Sequence, residues 1–118
     1  MTLNEYKKQV DETVVESMVS LMTEWNDCDY TMEDIKSCKE ILYTYLDNLY
    51  VLENPTDDEI MKQVEIVILA LNDLNEKTDY ALIETGETEA ICGLIQESAI
   101  ACGLNHYEDD ITEEWREW

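Results

Sequence analysis

A chain of 118 residues with three Gly, one Pro and 45% hydrophobic residues is long enough for one domain with a real core, which excludes a linker-rich or disordered polypeptide. Its 29 acids against 7 bases give a formal net charge of -22. That balance disfavours nucleic acid and anionic membrane surfaces as ligands, so a charge-driven partner should be basic.

In chain order, Thr2 with Glu5 fits a capping box, and the spacing of Leu3, Tyr6, Val10, Val14, Met18, Leu21, Met22 and Trp25 predicts a first amphipathic helix running to about Trp25. Residues 26–30 form a turn cluster. Thr31 with Asp34 then caps a second helix from Met32 to about Leu52, with Ile35, Cys38, Leu42, Tyr45, Leu46 and Leu49 facing inward. Tyr43 and Tyr50 fall off that stripe, where partial burial at the flank of a bundle competes with a recognition role. Pro55 ends the second helix, and Thr56 with Glu59 opens a third over Asp57–Lys77. Asp57 and Asp58 suit the positive end of that helix.

The third helix is the most apolar stretch. Ile60, Val64, Val67, Ile68, Leu71 and Leu74 recur at helical spacing, and Met61, Ile66, Leu69 and Ala70 widen the stripe towards a full circumference. This places the helix nearest the centre, or makes it a seam completed by a second copy. The connection over 78–84 should tuck Leu82 and Ile83 against the bundle. Thr85 is expected to cap a fourth helix carrying Ala90, Ile91, Leu94, Ile95, Ala99 and Cys102, ended by Gly103 as a C′ glycine. A short fifth helix should start at Asp110 and bring Ile111, Trp115 and Trp118 to one face. The expectation is therefore an all-α, single-domain helical bundle spanning 1–118, with four long helices and a short C-terminal helix.

The runs Leu71-Asn72-Asp73-Leu74-Asn75-Glu76, Leu82-Ile83-Glu84-Thr85, Ile91-Cys92, Gly103-Leu104 and Ile111-Thr112-Glu113-Glu114-Trp115-Arg116-Glu117-Trp118 carry a resemblance. Together they resemble a group of small acidic bacterial or phage proteins of unknown function, over the last third to half of the chain. The resemblance implies a bacterial or phage setting and no activity.

Chemistry-bearing constellations are sparse. His106 is the only histidine, with no second His or thiol at ligand spacing, and it reads as a surface residue. Asp27, Asp29 and Thr31 mimic the first ligands of a calcium loop, but Met32 stands where Gly is needed and Cys38 where Glu is needed. The pairs Glu12/Glu16 and Asp73/Glu76 do not match the carboxylate pairs of magnesium-dependent bundle hydrolases. Cys28, Cys38, Cys92 and Cys102 form no C-x-x-C pair; with no signal peptide or membrane-spanning run, they point to a cytoplasmic protein with reduced thiols.

The reading is a non-enzymatic acidic binding protein that engages a basic protein, with no cofactor and no metal. The partner is a nuclease or another nucleic-acid-binding protein, met either by an immunity or antitoxin-like protein or by a nucleic-acid mimic. Glu108, Asp109, Asp110, Glu113 and Glu114 are the candidate partner-binding acids, with Trp115 and Trp118 as apolar anchors unless those rings dock on their own bundle. A Mg/Mn carboxylate hydrolase and a homo-oligomeric structural protein, such as a homodimer, are the alternatives.

Overall fold

The computed structural model describes residues 2–24, 30–107 and 109–118, and among these it is helical without strands. Helix α1 is a continuous run of three segments, Leu3–Gln9, a π-helical Val10–Val15 and Glu16–Glu24. Helices α2 (Met32–Tyr50), α3 (Asp57–Lys77) and α4 (Thr85–Ala101) follow. They form a ring in which α1 packs on α2, α2 on α3, α3 on α4 and α4 back on α1. Side-chain bonds show neighbours running antiparallel: Lys7 to Asp47 (2.7 Å) at one end of the α1–α2 pair, and Lys77 to Asp34 (3.8 Å) at the opposite end of the α2–α3 pair.

The capping boxes at Thr2, Thr31 and Thr56 are all formed, each threonine oxygen accepting an N–H while the acid three residues on accepts the threonine's own N–H. The buried residues of α2 are the six expected inward positions. Tyr43 and Tyr50 are half-buried at the flank of the core. Leu82 and Ile83 are buried as the loop tucks in. Gly103, at φ 115°, closes α4: its N–H bonds to Ile100 O (3.0 Å) and that of Leu104 to Ala99 O (3.1 Å), the paired bonds of a Schellman ending.

Four expectations need correction. The first helix is not uniformly α-helical. Tyr6, Val10, Val14 and Met18 are all buried and spaced by four, which in a helix of 3.6 residues per turn drifts by about 120° over three steps. The wider π turn over Val10–Val15, marked by Glu16 N–H bonding to Asp11 O, reduces that drift along α1. The second correction concerns α3, which is not surrounded: Ile66 and Leu69 remain 48% and 46% exposed because α3 packs on α2 and α4 and leaves its third side open. Glu84 rather than Thr85 occupies the N-cap of α4, without a side-chain cap bond. Finally, the C-terminal helix is absent; residues 111–115 form turns, for a reason found in the site itself. Trp25, Asp27, Cys28 and Asp29 lie outside the described residues.

Between α2 and α4 the buried Tyr45 hydroxyl donates to Ile95 O (3.0 Å) and lies 2.8 Å from Ser98 Oγ. Burial pushes its phenol well above the ordinary range. Tyr45→Phe should destabilise the chain by about 1–2 kcal/mol. Denaturant melts of Tyr45→Phe, Ser98→Ala and the double variant should show losses smaller together than in sum, since one network is removed once.

Candidate functional site: the acidic tail and the outer helix faces

The tail is placed by one carboxamide. Asn72, on the α3 face towards the tail, donates from Nδ2 to Trp115 O (2.7 Å) and accepts at Oδ1 from Glu117 N–H (3.1 Å). The Glu117 N–H is a group that a continuing helix would have bonded to Glu113 O, so the ladder goes no further than the Arg116 N–H to Thr112 O bond (3.1 Å). Asp110 strengthens the turn by accepting from the Thr112 N–H (2.9 Å) and hydroxyl (2.5 Å) and pairing with Arg116 Nη2 (3.2 Å). Burial raises the Asp110 pKa, but the Thr112 bonds and the Arg116 charge outweigh it and hold the carboxyl below the usual range.

Arg116 also donates from Nη1 to Cys92 Sγ (3.0 Å) and stacks over the Trp118 ring, 5.6 Å from its centroid. Trp115 and Trp118 are half-buried against the core, and the Trp118 Nε1 is buried without a hydrogen-bond partner. The rings expected to anchor a partner therefore dock on their own bundle. The acids divide: Asp110 is engaged internally, whereas Asp109, Glu113 and Glu114 are exposed. Glu108 lies outside the described residues.

Asp110, Glu113 and Glu114 meet Met61, Tyr107 and Ile111 around a cleft of about 360 Å³ beside His106. Its lining combines apolar side chains with three carboxylates, which suits the methylene stem and charged head of a Lys or Arg. His106 was expected at the surface, and its side chain is 92% exposed. Asp57 does more than complement the start of α3. It accepts from Asn105 N–H (2.9 Å), His106 N–H (3.2 Å) and lies 2.8 Å from His106 Nδ1, tying the segment after α4 to the α3 N-terminus.

Carboxylates cover the outer faces: Glu12 and Glu16 on α1, Glu33 and Glu40 on α2, Asp58, Asp73 and Glu76 on α3, and Glu89 and Glu97 on α4 are exposed. The bases do not balance them: six of the seven, Lys7, Lys8, Lys39, Lys62, Lys77 and Arg116, already sit within 4.0 Å of a carboxylate, and the seventh, Lys36, is exposed. Among the described residues no three His, Cys, Asp or Glu side chains converge as a metal site, and none of the helices is long and apolar enough to cross a membrane. Cys38, Cys92 and Cys102 are free thiols.

Three features were not visible in the sequence. Glu87 is only 2% exposed, accepting from Ser17 Oγ (3.2 Å) in the first turn of α4; burial and its neighbouring charge push the Cys38 thiol up to about 12. Tyr43 donates to Asp11 (2.9 Å) between Lys7 and Lys39, whose amines lie 5.1 and 5.2 Å from its ring centroid. The third is an apolar groove between α2 and α3, signalled only by the excess width of the α3 stripe.

With this geometry in view, comparison of the chain with family models, curated proteins and solved structures gave no match.

Two outcomes test this arrangement. Asn72→Ala should cost about 1–3 kcal/mol and shift Trp emission to the red as the tail lifts, while Asp73→Ala, on the exposed side, should change stability by no more than about 0.5 kcal/mol. For Asp57, hydrogen bonds from Asn105 and then His106 lower the folded pKa, so its contribution is present above the ordinary aspartate range near about pH 4 and is lost as pH falls through the lowered value. Asp57→Asn should thus melt below the parent at neutral pH, with the gap closing on acidification. A gap indifferent to pH would show that the carboxylate charge does not hold this segment.

Proposed function

We propose that this chain is a non-enzymatic acidic binding protein whose partner is a basic protein, of the kind that itself binds nucleic acid. The observation that carries the reading is linear charge density. The molecule extends 47 Å along its long axis with a net charge of -22. Duplex DNA places one charge every about 1.7 Å, or about 28 over the same length, so the protein reaches roughly four-fifths of the duplex value. Six of its seven bases are paired with carboxylates, which leaves exposed acids as the dominant outward charge. Such a body steers a cationic surface into contact and competes with nucleic acid for it.

The cleft formed by Asp110, Glu113, Glu114, Met61, Tyr107 and Ile111 is the local seat for a Lys or Arg of that partner. An immunity or antitoxin-like role and a nuclease inhibitor that mimics nucleic acid share this chemistry, in the bacterial or phage setting that the sequence resemblance implies. Affinity capture from bacterial lysate should retain basic nucleic-acid-binding proteins at about 50 mM salt and lose them steeply by about 200 mM. Free duplex should displace them, and Glu113→Lys with Glu114→Lys should weaken their retention. Capture of mainly acidic proteins, or retention indifferent to salt, would count decisively against the proposal.

A further inference from the structure

We infer that the open face between α2 and α3 is a docking groove for a basic amphipathic helix, a specification of partner that rests on the proposed binding role. The groove, of about 290 Å³, has Ile41, Tyr45, Ile66, Val67 and Ala70 along its walls, and Glu40 is the one charged residue lining it. Its α2 wall runs from Ser37 to Asn48, about 16 Å of helix, and its α3 wall from Gln63 to Ala70, about 10 Å. That length accepts side chains at i, i+3 or i+4, and i+7 of a third helix, two turns of apolar face. Ile66, 48% exposed, is the uncovered apolar wall residue that such a helix would bury.

Charge decides the occupant. Glu59 and Asp73 stand seven residues either side of Ile66, and Glu33 stands seven before Glu40, so the helical rows that cross the groove run into carboxylates. All four are exposed and none takes part in an ion pair among the described residues. Of the nearby bases, Lys62 is paired with Glu65 (3.4 Å) and Lys36, exposed beside Ser37, is one positive charge against these four acids. A helix with an apolar stripe flanked by Lys or Arg meets both features at once. A second copy would not, since a two-fold contact sets this same acidic surface against itself.

The test uses the full chain, Ile66→Thr to remove the apolar seat, and Ala70→Gln to fill the groove, both judged folded by circular dichroism. The probes are two synthetic Leu/Lys peptides of about 15 residues and identical composition, one ordered so that Leu forms a helical stripe and one reordered so that it does not. The striped peptide should bind the parent at least about ten-fold more tightly than the reordered one, and either substitution should reduce that preference to about two-fold or less. Equal, salt-sensitive binding of both peptides would remove the groove and leave the acidic-surface reading standing. Binding of neither would overturn both. A preference that survives both substitutions, or a parent dimer that Ile66→Thr converts to monomer in sedimentation, would also overturn the inference, the latter by naming a second copy as the occupant.

Discussion

The irregular parts of this bundle depend on polar side chains projecting from one helix. α3 carries Asp57 at its start, Asn72 near its end and Asn75 one turn later, and each fastens a segment that has no helix of its own. Asp57 binds the backbone of residues 105 and 106, Asn72 binds the tail, and Asn75 Oδ1 accepts the Ile83 N–H (3.0 Å) to seat the α3–α4 connection. Asn72 and Asn75 are 5% and 1% exposed, so their amides would be costly to bury without these bonds. The same pressure shapes the connection. Asp79 and Tyr80 take left-handed backbone angles, φ 58° and 61°, while Thr78 Oγ1 accepts the Leu82 N–H (3.3 Å).

What was legible in advance follows from the range of the interaction. Caps are local, and all three threonine boxes were readable because donor and acceptor lie three residues apart. The buried face of α2 was equally readable, being a periodic stripe on a helix flanked on both sides. The π segment of α1 left no such trace: the four-residue spacing of Tyr6, Val10, Val14 and Met18 recurs in Ile60, Val64, Ile68 and Asn72, which are buried on the regular α-helix α3.

The misreadings arose where a distant group competed with a local one. Residues 110–118 have a helical pattern, but Asn72, more than forty positions away, takes the Glu117 N–H that the helix would need and holds the Trp115 carbonyl at its end. An apolar α3 circumference could mean central packing or an open binding face, since periodicity records apolarity without recording what covers it. Of the predicted partner-binding set, the exposed acids kept their outward character while the two Trp rings became part of the fold. The groove stayed hidden because its walls come from two helices whose register no local pattern specifies.

The charge asymmetry is a product of the fold as well as of composition. Arg116, the chain's one arginine, faces Asp110, Cys92 and Trp118, and so its guanidinium secures the tail rather than offsetting acids outside. Lys7 and Lys39 likewise flank the Tyr43 ring and pair with Asp47 and Asp11 at 2.7 and 3.3 Å. Acids without such partners accumulate on every helix, where their mutual repulsion works against compactness and solvent screens only part of it. A basic partner would relieve that repulsion as it binds. In the proposed binding role, association and stability would therefore be coupled, a bound cationic partner stabilising the bundle by reducing the repulsion between its exposed acids.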